Sequence, residues 1–358
     1  MNNINENNKI LNISFNQDNS CFSISTEKGC IIYKTFPFKK EHKENFGGGI
    51  KITEMYYKSN ILALLSGGEY PKFNPKKLII WDISLNKVVA EINIFNSIKN
   101  VKLKKDRIYI NNENNIYIFD LKTLENIEII QTFENPKGLF STNSDENNDV
   151  IAFLGEPKEK DNNKKYVYVN IKDYGKSLEK SINTREEMVS YISLNNTGNL
   201  VAIANDKGNV IKIYNCANED LLGEYYRGKE KAEINYICFD KLNNYFAVTS
   251  DRGTIHIWSL KKILHKLSNK NNENDKIKSE ENKIINKYDD LPENQKRIFS
   301  NNEKSFAKIK ANSKKSICSF QENNSIVVLT YEGMYYQYNL DTKNGGNCQK
   351  KEQKELII

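Results

Sequence analysis

Short runs of alternating apolar and polar residues, joined by glycine-bearing turns, organise this chain. Cys21-Phe22-Ser23-Ile24-Ser25 leads through a Lys28-Gly29 turn into Cys30-Ile31-Ile32-Tyr33. Leu200-Val201-Ala202-Ile203-Ala204 turns at Lys207-Gly208 into Val210-Ile211-Lys212-Ile213-Tyr214, and Tyr245-Phe246-Ala247-Val248-Thr249 turns at Arg252-Gly253 into Ile255-His256-Ile257-Trp258. Alternation over so few residues predicts strands, and the turns between them predict hairpins. Weaker copies end at Trp81-Asp82, Phe119, Val169 and Tyr338, so the unit occurs seven times.

The closing positions 33, 81, 119, 169, 214, 258 and 338 fall 38 to 50 residues apart, except for a last interval of 80. That spacing brackets the roughly 40–45 residues of a propeller blade. A hairpin-sized sheet cannot bury its own face, so such units stack around an axis. The expected fold is all-β: one WD40-like seven-bladed β-propeller spanning 1–358. A β-sandwich with coincidental spacing is the alternative.

The long interval holds a polar insertion, 260–303, in blade six. It is rich in Lys, Asn and Glu, lacks a β pattern and reads as a mobile, disordered loop. At its start Leu260, Ile263, Leu264 and Leu267 recur at helical spacing among Lys261, Lys262, His265 and Lys266. An apolar stripe flanked by cations suits an anionic membrane surface. Ile277, Ile284, Tyr288 and Leu291 form a thinner second stripe. The plainer alternative is that Leu260 finishes a strand and the rest is solvated loop.

Composition narrows the function classes. The formal net charge is +7, which favours anionic partners, although a general excess of lysine can produce it alone. No nucleic-acid motif accompanies it. Six scattered cysteines without a CxxC pair support neither a metal site nor a disulfide framework. No apolar run approaches the roughly 18 residues of a membrane span, and the first residues carry no signal core, so a reduced, cytoplasmic protein is expected. With three histidines, no nucleophile–base spacing and no P-loop after Gly47-Gly48-Gly49, no catalytic residue and no cofactor is expected.

Arginine is scarce, with only Arg107, Arg185, Arg227, Arg252 and Arg297 among 53 cationic residues. Where lysine serves nearly every cationic position, a retained arginine suggests that a planar fork of donors is needed, and that fork suits phosphate. Three of the five fall between 185 and 252.

Several stretches, taken together, resemble the PROPPIN family (WIPI in animals). They are 59–64 with Pro71-Lys72-Phe73, Asn74-Pro75-Lys76-Lys77 and Ile80-Trp81-Asp82; 101–108; Asn135-Pro136-Lys137-Gly138-Leu139; Ser305-Phe306-Ala307; Ile317-Cys318-Ser319-Phe320; and Gly333-Met334-Tyr335-Tyr336. The resemblance covers nearly the whole chain and is closest to the shorter branch of the family. It implies a seven-bladed, monomeric propeller that reads phosphatidylinositol 3-phosphate, or the 3,5-bisphosphate, on autophagic or endosomal membranes. It also implies recruitment of traffic partners, chiefly the large autophagy lipid-transfer protein, for which loop 69–77 is the candidate contact.

The family signature carries two consecutive arginines before a glycine, each serving one headgroup pocket. Here the positions read Tyr225-Tyr226-Arg227-Gly228. For the pocket of the second arginine the resemblance supplies Arg227, Ser250, Thr254 and His256, a fork with hydroxyl and imidazole donors that suits a phosphomonoester. Thr254 and His256, two apart on a strand, share a face, whereas Thr249 and Ser250 oppose. For the pocket of the first, every member is changed, to Arg185, Asn205, Asn209, Lys212 and Tyr226, so weakened or altered binding is expected there. The competing function is a WD-type adaptor that binds only proteins.

Overall fold

The computed structural model describes residues 8–160, 164–264 and 304–358. Seven sheets, each with a four-stranded antiparallel frame, form the blades, covering 10–45, 50–93, 100–131, 140–183, 189–226, 234–259 with 307–310, and 316–339 with 349–355. Every closing residue read from the sequence falls in or beside the third strand of its blade, as with Tyr214 in Val210–Asn215 and Trp258 in Thr254–Ser259. The innermost strands, among them Ile10–Phe15, Val189–Leu194 and Ile234–Phe239, surround a central channel of about 1540 Å³.

The core is divided among the blade-to-blade interfaces. Ile203, Tyr214 and Val169 pack between blades four and five. Tyr225, Phe246 and Trp258 pack between five and six. Ile257 and Val328 pack between six and seven. This follows from alternation, because successive residues of a strand enter opposite interfaces. The outermost strands lie at the rim and stay polar, as in Lys39–Asn45 and Gln349–Glu355.

The ring closes without strand exchange, since blades one and seven each use only their own end of the chain. An apolar cluster with Ile24, Tyr33, Val327, Tyr335 and Leu356 joins them. Tyr331 Oη donates to Asn12 Oδ1 at 3.0 Å, and Tyr335 Oη donates to the Thr35 carbonyl at 3.1 Å. The insertion lies between the third and fourth strands of blade six, Thr254–Ser259 and Ala307–Lys310. Gly346–Asn347 adds a short parallel strand to that outer edge.

Candidate headgroup site at the rim

Two neighbouring rim positions hold the expected pocket residues, one between blades five and six, the other between blades four and five. Both depend on the outer strand of blade five, Leu221–Tyr226. Tyr225 turns toward blade six, where its ring meets Phe246 at 4.8 Å edge-on. Tyr226 therefore faces blade four and is 36% exposed. Arg227 returns to the side of Tyr225. Consecutive residues thus serve different interfaces.

Arg227 is 9% exposed and held by main-chain carbonyls. Its backbone N–H donates to Asn209 O at 2.8 Å, Nε donates to Gly208 O at 2.7 Å, and one Nη donates to Glu230 O at 2.6 Å. Gly208 has φ +60°, and a Cβ there would meet Ala232 O at 2.0 Å, so only glycine presents that carbonyl without strain. Burial, reinforced by the nearby Arg252 cation, pulls the Arg227 pKa down from its usual value, while Asp251 and Glu230 oppose the shift. The guanidinium keeps its charge, as arginine does in proteins. Among the described residues, its recorded hydrogen bonds go to carbonyl oxygens and none to a carboxylate.

Across the interface, Thr249 Oγ1 donates to Ser316 O at 2.6 Å toward blade seven. Ser250 lies on the other face and accepts the Arg252 N–H at 3.4 Å. Thr254, half-buried, and His256 project together from the next strand. The His256 ring stacks on Trp258 with centroids 5.6 Å apart, and Nδ1 lies 3.3 Å from Ser305 Oγ. Its pKa is lowered to about 4 by burial, then by Lys308 and Arg227. The imidazole is therefore neutral at neutral pH, and both charged groups that act on it are cations. Lys308 pairs with His256 in the blade-six register, but the insertion separates the two in sequence, and no motif signalled it.

The second constellation assembles differently. Lys212 holds the register position in blade five that His256 holds in blade six, opposite Ile203 and Val248 respectively. Its ammonium is already engaged, by Glu186 at 2.7 Å and the Thr184 carbonyl at 2.9 Å. Asn205 Nδ2 donates to Asn209 Oδ1 at 2.8 Å, while its Oδ1 accepts the Asn209 and Val210 N–H groups, so these amides cap their own turn. Arg185 is exposed in a left-handed turn with φ +56°. The sequence could not show that Glu186 neutralises Lys212.

The membrane-stripe expectation needs correction at its root. Leu260 and Ile263 are 0% and 3% exposed and belong to the core cluster of Tyr225 and Trp258. A single helical turn, closed by Leu264 N–H to Leu260 O at 3.0 Å, spans them, and their side chains pack into that apolar interface. Lys261 and Lys262 are exposed and Leu264 is half-buried. Lys266, Leu267 and the second stripe lie outside the described residues. The arginine argument also narrows. Arg107 is a structural partner of Asp149, lying over the Tyr174 ring at 4.0 Å, and Arg252 donates to Lys231 O and pairs with Glu230 at 3.3 Å. Arg297 lies outside the described residues. In loop 69–77, Tyr70 is 73% exposed, and Lys76 lies over the 85% exposed Phe95 ring at 5.8 Å. Among the described residues no group of three or more His, Cys, Asp or Glu could hold a metal, and no helix is long and apolar enough to cross a membrane.

Comparison with known proteins agrees with this architecture. The PROPPIN family model matches residues 10–357. SVP1-like protein 2 of Debaryomyces hansenii is 30% identical over 283 residues, 70% of this chain and 66% of that protein, so the match spans just under two thirds of the relative. Autophagy-related protein 18e of Arabidopsis thaliana is 27% identical over 354 residues, 97% of this chain and 87% of the relative. Among solved structures, Kluyveromyces lactis Hsv2 superposes with a TM-score of 0.71 at 18% identity, covering 98% of this chain and 99% of that one. KlAtg21, solved in complex with the coiled coil of AgAtg16, gives 0.74 at 20% identity, covering 97% and 99%.

Proposed function

The chain belongs to the PROPPIN family of non-enzymatic, autophagy-related phosphoinositide-binding propellers, and from that premise we propose that it reads phosphatidylinositol 3-phosphate, or the 3,5-bisphosphate, through one rim pocket of Arg227, Ser250, Thr254 and His256. The observation that carries this reading is a cluster of cations: Arg227 is buried with its recorded hydrogen bonds going to carbonyl oxygens, and Lys308 pairs with His256 in the sheet, while burial first and then these two cations hold the imidazole pKa down to about 4. A phosphomonoester placed there meets a guanidinium, an ammonium and two hydroxyls. It also turns the repulsion among these groups into attraction.

The pocket between blades four and five contributes little. Its buried cation is neutralised by Glu186, and Tyr226 supplies no charge. Binding is therefore monovalent at the headgroup, and exposed Lys261 and Lys262 add a salt-sensitive share. Glu186→Gln, which frees Lys212, should strengthen headgroup binding.

The test is flotation with vesicles containing phosphatidylinositol 3-phosphate against phosphatidylinositol alone. Losing a charge-assisted contact costs about 1.5–3 kcal/mol, so Arg227→Ala should weaken binding about ten-fold or more. Since Arg227 also ties down two carbonyls, Thr254→Val serves as a second variant that leaves those ties in place. Unchanged binding in both variants overturns the assignment. A protein-docking role is supported separately by the exposed Tyr70 and Phe95, and we assign loop 69–77 to recruitment of the autophagy lipid-transfer protein or another traffic protein. Tyr70→Ala with Phe95→Ala should abolish capture of that partner and leave vesicle binding intact.

A further inference from the structure

All six cysteines are free, yet two of them meet. Cys238 lies on the innermost strand of blade six, Ile234–Phe239, and Cys318 on that of blade seven, Ser316–Gln321. Their sulfurs are 3.6 Å apart although 80 positions separate them in sequence. The environments differ. Cys318 is fully buried, whereas Cys238 is half-buried and lines the central channel, whose volume of about 1540 Å³ gives a small solute a route to it.

We propose that Cys238 and Cys318 form a dithiol site that undergoes thiol–disulfide exchange with a small-molecule disulfide of the glutathione type, yielding an internal bond between blades six and seven. Cys238, the less buried of the two residues, attacks first. Its thiolate displaces one glutathione thiolate and leaves a mixed disulfide. The Cys318 thiolate then attacks the Cys238 sulfur and expels the second glutathione thiolate. The two protons lost by the cysteines are taken up by the two glutathione thiolates, so two protein thiols are oxidised and one disulfide is reduced.

The geometry asks for little movement. A disulfide bond is about 2.05 Å long, so the sulfurs must approach by about 1.5 Å from their present 3.6 Å. The bond would close the loop that contains the blade-six insertion, and long closed loops stabilise most in the chain-entropy model. It would also brace blade seven, which meets blade one without a shared strand. The hydrogen bond with Cys318 and burial both push the Cys238 thiol well above its ordinary value. The reaction is therefore slow at neutral pH and quickens as pH rises.

The experiment treats the reduced full-length protein with glutathione disulfide at pH 7 and pH 8.5. Acid quenching, alkylation of remaining thiols and peptide mapping by mass spectrometry follow. The expected product has lost two alkylatable thiols, carries a linked Cys238–Cys318 peptide, forms faster at the higher pH, and melts several degrees above the reduced protein. Cys318→Ser should stop at a glutathione adduct on Cys238, and Cys238→Ser should leave Cys318 unreacted. Stable adducts without the cross-link in the wild type overturn the proposal, as does equal thiol loss in Cys238→Ser. The wild-type map decides even if a variant fails to fold.

Discussion

Replacing His256 with asparagine removes a titratable group from a strongly cationic place and leaves a polar side chain of similar reach. The His256 pKa is about 4 in the folded chain, against an ordinary 6.5. The folded state thus binds fewer protons than the unfolded chain between those values. Stability from this residue is complete above pH 6.5 and is lost as pH falls toward 4. From the two values the loss is about 2 kcal/mol at pH 5 and approaches about 3 kcal/mol at lower pH. The ring is 8% exposed, so solvent screens little of this. Chain-length scaling converts about 2 kcal/mol into a fall of about 3 °C in Tm. The assay is denaturant or thermal unfolding of both proteins at pH 7.5 and pH 5, read as the difference of differences, which cancels the carboxylates common to both. The wild type should lose about 2 kcal/mol more than His256→Asn on acidification. Saturating soluble headgroup should shrink that excess, because a bound phosphate stabilises the imidazolium. An equal loss in both proteins refutes the picture of a neutral imidazole held between Arg227 and Lys308.

The other predictions concern the insertion's root and a buried ion cluster. Leu260→Ala should destabilise the fold by about 2–5 kcal/mol, seen in melts, and leave vesicle binding per folded molecule unchanged. Lys261→Glu with Lys262→Glu should do the reverse, lowering flotation most at low salt. Asp149 lies 3.6 Å from the buried Lys104 ammonium and also meets Arg107 and Tyr109. Asp149→Ala should therefore cost about 3–5 kcal/mol, because a buried lysine loses its counter-charge, and chemical denaturation would measure it.

Much of the fold can be read along the chain because its signals are local. Alternation within a strand, glycine at a hairpin turn and a recurring blade length all act over a few residues or one repeat. They suffice for seven blades and for the third strands that carry Tyr214 and Trp258. The same alternation separates Thr249 from Ser250 and sends Tyr226 and Arg227 into different interfaces. What sequence could not decide was which distant groups would face each other once blades stacked. Glu186 neutralises Lys212, Lys308 flanks His256 and Cys238 touches Cys318 only because neighbouring sheets bring them together. Leu260 and Ile263 look amphipathic by spacing, yet spacing fixes a face and not its partner. The apolar interface of blades five and six takes that face, since burial against Tyr225 and Trp258 is available within the molecule itself.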